Sequence, residues 1–99
     1  MDYAVIWDDE AVEELRQIVL YIAQHNPVAA RKMGNAIFEK TLQLRSFPQS
    51  GKVFRKLHRE DVREIPAPPY RIIYHLKHAE RTVRILKIWH GARREPEIQ

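Results

Sequence analysis

The chain has 99 residues, no cysteine and a formal net charge of +4 at pH 7, with 44% hydrophobic and 30% charged positions. That length predicts one domain with a modest core, and the missing cysteines exclude a disulfide framework or a thiolate metal site. No basic leader follows Met1 and no window approaches the ~18 apolar residues of a membrane span, so a cytoplasmic protein with neither signal peptide nor membrane contact is expected.

In chain order, Tyr3-Ala4-Val5-Ile6-Trp7 is a short β-prone run ending at Asp8-Asp9, where a carboxylate can cap the first free amides of a helix. Ala11, Leu15, Ile18 and Ile22 then recur at helical spacing, flanked by Val12, Val19 and Ala23, while Glu13, Glu14, Arg16, Gln17 and Gln24 fall elsewhere on the wheel. His25-Asn26-Pro27 stops this helix and starts a second, because asparagine caps well and proline suits the first helical position. Ala30, Met33, Ile37, Thr41 and Leu44 form the stripe of the second helix, with Ala29, Ala36 and Phe38 widening it. Gly34 weakens it by roughly 1 kcal/mol relative to alanine and reads as a point of close helix packing. Phe47-Pro48 ends it, and residues 48–51 form a loop.

The second half reads as strands. Residues 52–57 and 62–65 are short candidates, and Pro66, Pro68 and Pro69 restrict the connection that follows. From Tyr70 to Lys77, Tyr70, Ile72, Tyr74 and Leu76 alternate with Arg71, Ile73, His75 and Lys77, so one face is covered and the other basic. After the polar connection 78–81, residues 82–90 are apolar on both alternating sets, which predicts a central strand bulged near Ile85-Leu86. Gly91 then permits a turn before Arg93 and Arg94. Strand, helical hairpin and three or four further strands make an α+β two-layer sandwich, with the hairpin on one face of a mainly antiparallel sheet. The other face, carrying Arg71, His75 and Lys77 with Arg63, Arg84 or Lys87, is left to solvent or a partner.

Charge follows this division. Residues 1–51 hold five Lys/Arg against seven Asp/Glu, a net of −2; residues 52–94 hold twelve against four, a net of +8; Glu95 and Glu97 return −2. A positive field on one half favours nucleic acid, a ribosome or an acidic protein partner. The sequence has no Gly-rich phosphate loop, nucleophile elbow or His-Glu-x-x-His helix, and His25, His58, His75, His78 and His90 lack helical ligand spacing, so neither cofactor nor metal is expected. Arginine, lysine and histidine on a sheet can still bind phosphate, and stabilise a pentavalent phosphate where an acid-base group adjoins them.

Tyr21-Ile22-Ala23 with Asn26-Pro27 and Ala29-Ala30, Phe47-Pro48 and Gly51, Arg63-Glu64-Ile65, Tyr70-Arg71-Ile72-Ile73-Tyr74 and His90-Gly91-Ala92-Arg93-Arg94 together resemble the RelE/ParE superfamily of type II toxin-antitoxin toxins over nearly the whole chain. The Asn-Pro hairpin and the His-Gly-Ala-Arg ending look more like ParE. That branch implies a DNA gyrase poison neutralised by an antitoxin wrapped around it, and makes Arg71, His75, Lys77, Lys87, Arg93 and Arg94 the candidate partner-binding residues. The RelE branch implies a ribosome-dependent mRNA endoribonuclease, with Arg63, Arg71, His90 and Arg93 as its candidate catalytic set. Departures from that branch are the Glu-Pro-Glu-Ile-Gln ending without tyrosine and Glu64 where RelE tends to present lysine. A third reading is a non-catalytic module that binds antitoxin or nucleic acid.

Overall fold

The computed structural model describes residues 2–98, and its elements follow from the patterns above. They are β1 (Ala4–Trp7), α1 (Asp9–Ala23), α2 (Pro27–Gln43), β2 (Lys52–Phe54), β3 (Arg59–Ala67), β4 (Tyr70–Lys77) and β5 (Thr82–His90). The strands form one sheet in the order β1-β5-β4-β3-β2. β1 joins parallel to β5, and the other neighbours are antiparallel. The expected α+β two-layer architecture is therefore present, with the N-terminal strand added to a four-stranded antiparallel sheet.

The hairpin begins α2 where Asn26 Oδ1 accepts a hydrogen bond from the Ala29 N–H at 3.0 Å, beside Pro27 at the first helical position. Asp8 does not cap α1 with its side chain, because that carboxylate is engaged by Arg84 of β5. Ala30, Ile37, Thr41 and Leu44 are buried as their spacing requires, whereas Val12, Ala36 and Phe38 are exposed and widen nothing. A Cβ on Gly34 would stand 3.3 Å from Val19 Cγ2, so the glycine marks a close approach of the two helices.

The helices cover the face of β4 that presents Tyr70, Ile72, Tyr74 and Leu76, and Ala11, Ile37, Leu44, Ile65 and Val83 complete that core. Burial of each such large apolar side chain is worth about 1.5–3 kcal/mol. Ile73 pairs with Lys87 but Tyr74 with Ile85, leaving Leu86 as the extra residue of a bulge. The bulge explains why β5 is apolar on both alternating sets: Val83 and Ile85 face the helices before it, Ile88 after it. β1 ends its pairing at Trp7–Ile85, so beyond that point β5 has a free edge, and there Glu14 of α1 accepts from the Ile88 N–H at 2.9 Å.

β3 is longer than its pattern announced. It runs through Pro66, which is tolerated because β2 pairs no further along β3 than Glu64. Pro68 and Pro69, joined by a cis peptide, make the turn into β4. β2 is shorter than expected and gives way at Phe54 to a turn in which His58 has a φ of 51°. Gly91 does not supply a left-handed turn; its N–H donates to the Pro69 carbonyl at 2.8 Å, and a Cβ would lie 3.1 Å from that oxygen. Close approach is thus the reason for glycine at this position.

Candidate functional site

The sheet face turned away from the helices carries Arg71, Ile73, His75 and Lys77 of β4, as alternation requires. It is not uniformly basic. Phe54, Val62 and Ile73 form a second apolar cluster there, with Leu57, Leu86 and Trp89 packed against it. The C-terminal segment folds over this cluster: Pro96 is buried and Ile98 joins the apolar group. Trp89 Nε1 donates to the Arg94 carbonyl at 2.8 Å, which fixes where the segment begins to cross.

Most charges on this face are paired within the chain. Arg71 Nη1 lies 2.9 Å from Glu95 Oε1 and 3.3 Å from Glu64 Oε1, and its Nε and Nη2 are buried with no acceptor among the described residues. His75 Nε2 lies 2.8 Å from Asp61 Oδ2, and Arg59 holds the same carboxylate through two hydrogen bonds, of 3.0 and 2.6 Å. Arg59 first, and then His75, depress the Asp61 pKa to about 2. Lys77 stands 3.8 Å from Glu80, Arg84 pairs with Asp8, and Lys87 pairs with Glu10 and lies 3.8 Å from Glu14. Burial raises the pKa of Glu14 above the ordinary carboxylate value, against the lowering by the Ile88 N–H and Lys87.

On this half, cations without a carboxylate partner among the described residues gather at two places. Lys52, Arg55, Lys56, His58 and Arg71, with Glu64 and Glu95, line a depression of about 770 Å³ beside β2. Among the described residues Lys52 and Arg55 have no carboxylate within ion-pair distance, while Lys56 meets Glu97 at 2.8 Å. The second place is the exposed segment 91–94, where Arg93 sits over the Trp89 ring at 5.4 Å and neither Arg93 nor Arg94 has a carboxylate partner among the described residues. Lys52, Arg55, Lys56 and His58 were absent from the sequence-based candidates. Their density between 52 and 59 was the available signal, masked by reading that stretch as an ordinary strand.

The structure does not assemble Arg63, Arg71, His90 and Arg93 as one cluster on the sheet. Arg63 pairs in register with Tyr74 and His90 with Tyr70, so both project to the helix side, whereas Arg71, opposite Trp89, projects to the other. Arg63 donates to the carbonyls of Gly51 at 2.9 Å and Glu60 at 3.0 Å. His90 Nδ1 accepts from the Ala92 N–H at 3.1 Å, and its ring meets Tyr70 edge-on with centroids 5.4 Å apart.

Against known proteins, the family model described as the ParE toxin of the type II toxin-antitoxin system, parDE, matches residues 5–95. The chain belongs to the ParE toxin family. Toxin RelE2 of Caulobacter vibrioides is 34% identical over 89 residues, covering 90% of this chain and 96% of that protein. The toxin-antitoxin fold is also shared with solved structures. A chain of the chromosomal ParDE system from P. aeruginosa has a TM-score of 0.71 at 22% identity, covering 89% of this chain and 95% of that one. A chain of the RelBE2 complex from Mycobacterium tuberculosis has 0.66 at 23%, covering 91% and 99%. The ParE-type toxin described here thus spans at least 95% of each of these three relatives, and its helical hairpin and five-stranded sheet are the shared scaffold.

Proposed function

We propose that this ParE-family toxin acts on DNA gyrase in the cytoplasm and is held inactive by a cognate antitoxin. The observation that carries the reading is the separation of Arg63 and His90 from Arg71 by the thickness of the sheet, so the residues expected to cleave a phosphodiester together do not face one substrate. The solved ParDE and RelBE2 relatives are toxin-antitoxin systems or complexes, which supports an antitoxin partner. The exposed segment 91–94 offers two arginines without a carboxylate partner among the described residues, suited to a protein surface beside bound DNA.

A supercoiling assay tests this directly. Wild-type protein is expected to inhibit gyrase and to accumulate cleaved DNA, and the Arg93→Ala, Arg94→Ala double variant to lose potency while remaining folded, since exposed arginines contribute about 0–1 kcal/mol each. Full gyrase activity at large toxin excess would remove the target. The name of the Caulobacter relative, RelE2, favours a second reading as a ribosome-dependent mRNA endoribonuclease. Codon-positioned cleavage of mRNA on purified ribosomes, lost in a folded Arg71→Ala variant, would establish it instead.

A further inference from the structure

The segment 95–98 lies on the toxin as a bound peptide would. Its residues alternate acidic and apolar, Glu95-Pro96-Glu97-Ile98, and so does its seat. Glu95 reaches Arg71 at 2.9 Å, Glu97 reaches Lys56 at 2.8 Å, Pro96 is buried, and Ile98 packs with Phe54, Val62 and Ile73. A segment whose acidic side chains meet basic residues while its apolar side chains join an apolar cluster offers the alternating contacts by which bound peptides are read.

This occupant fits incompletely. The Arg71 guanidinium can offer five N–H donors in a fork that matches carboxylates two oxygens at a time, yet only Nη1 is used while Nε and Nη2 are buried without an acceptor. Buried donors left unpaired oppose closure. Lys52 and Arg55, lining the same depression, also have no carboxylate partner among the described residues. The seat therefore holds more positive charge and more donors than its own tail satisfies.

We propose that the depression around Arg71 is a docking site for an extended acidic-apolar peptide segment of a protein partner, and that residues 95–98 occupy it in cis as a competing placeholder. Covalent attachment gives the tail an effective concentration in the millimolar range, enough to exclude weak ligands and too little to exclude a partner that satisfies the whole guanidinium. A nucleic-acid backbone would supply the negative charge but has no counterpart for the apolar half of the seat, where Phe54 and Ile73 take an aliphatic side chain. The inference goes beyond the gyrase assignment and does not depend on it.

The test uses the full-length chain, its Glu95→Lys, Glu97→Lys variant and a synthetic N-acetylated peptide Glu-Pro-Glu-Ile-Gln, followed by amide chemical shifts. In the variant the peptide is expected to give saturable shifts at Lys52, Phe54, Lys56, Arg71 and Ile73, with a dissociation constant on the order of tenfold lower than in wild type. A peptide with both glutamates replaced by lysine is expected to give none. Equal binding to wild type and variant would overturn the competition, and absence of shifts in the variant at millimolar peptide would overturn the site. A mixed-sequence 12-nucleotide single-stranded DNA that moves those amides when the peptide does not would overturn the peptide assignment. Should charge reversal unfold the chain, Glu95→Gln with Glu97→Gln carries the same outcomes.

Discussion

The Tyr74 hydroxyl is a polar point within a largely apolar layer, and it locks the loop after α2 onto the sheet. It accepts from the Gly51 N–H at 3.0 Å and donates to the Pro48 carbonyl at 2.7 Å, with the side chain fully buried. Burial raises its pKa above the ordinary tyrosine value, so it stays a neutral donor. Tyr74→Phe preserves the ring but leaves both backbone groups unmatched, and a loss of about 1–3 kcal/mol is expected in urea denaturation. Gly51→Ala is expected to cost more, because its Cβ would lie 2.7 Å from the Glu64 carbonyl, which as backbone has little room to yield. Asp61 gives a pH signature at the same scale. Its folded pKa, about 2 against an ordinary 3.8, is depressed, so its stabilisation is complete above pH ~4 and is lost as pH falls toward 2. With 38% of the Asp61 side chain exposed, the contribution stays below about 1 kcal/mol. The stability difference between wild type and Asp61→Asn should therefore be largest above pH 4 and shrink as pH falls from 4 to 2; a difference constant over that range would refute the assignment.

At the scale of elements, what could be read in advance was whatever local chemistry dictates. Asn26-Pro27 specifies a cap and a first helical residue, Gly34 a close crossing, and the doubled apolar sets of β5 a bulge, and each is found where its residues put it. Faces were harder, because a strand's orientation depends on register, and a shift of one residue exchanges its two sides. Arg63 was expected beside Arg71, but its pairing with Tyr74 sends it to the helix side, while Glu64 is the residue buried on the outer face, at 6% exposure. No local pattern announces that inversion, since an acid on a buried face makes sense only once Arg71 is known to stand beside it. The tail was equally invisible, as residues 95–98 have no regular structure and acquire meaning only from their seat. Glu14 shows how an element can depend on one distant side chain: it supplies the acceptor for Ile88 where β5 lacks a neighbouring strand. Glu14→Ala should cost about 1–3 kcal/mol by leaving that N–H unmatched, and Glu14→Gln, which keeps an acceptor, should cost less. Equal losses in thermal denaturation would show that the charge, not the hydrogen bond, supports the edge.

Across the whole molecule, the +8 carried by residues 52–94 overstates the field that a partner meets. Asp8, Glu10, Glu95 and Glu97, all outside that segment, fold back against the basic face and pair with Arg84, Lys87, Arg71 and Lys56 in turn, offsetting four of the eight charges. Among the described residues, Lys52 and Arg55 at the β2 depression and Arg93 and Arg94 in the 91–94 segment lack a carboxylate partner, and Arg63 is held only by backbone carbonyls, so electrostatic steering should be local and modest. Association with an acidic antitoxin segment is accordingly expected to slow by about three- to tenfold between 50 and 500 mM salt, well short of the change a field of eight open charges would give. Stopped-flow measurement with the purified partner decides it. Charge reversal at Arg93 and Arg94 should lower the rate at low salt and flatten its salt dependence, whereas reversal at Arg31 and Lys32 of α2, on the half of net −2, should leave both nearly unchanged. A rate indifferent to salt would mean that docking is governed by apolar contact alone. A loss equal at both pairs would mean that the net charge of the toxin, rather than the placement of its exposed arginines, draws the partner in.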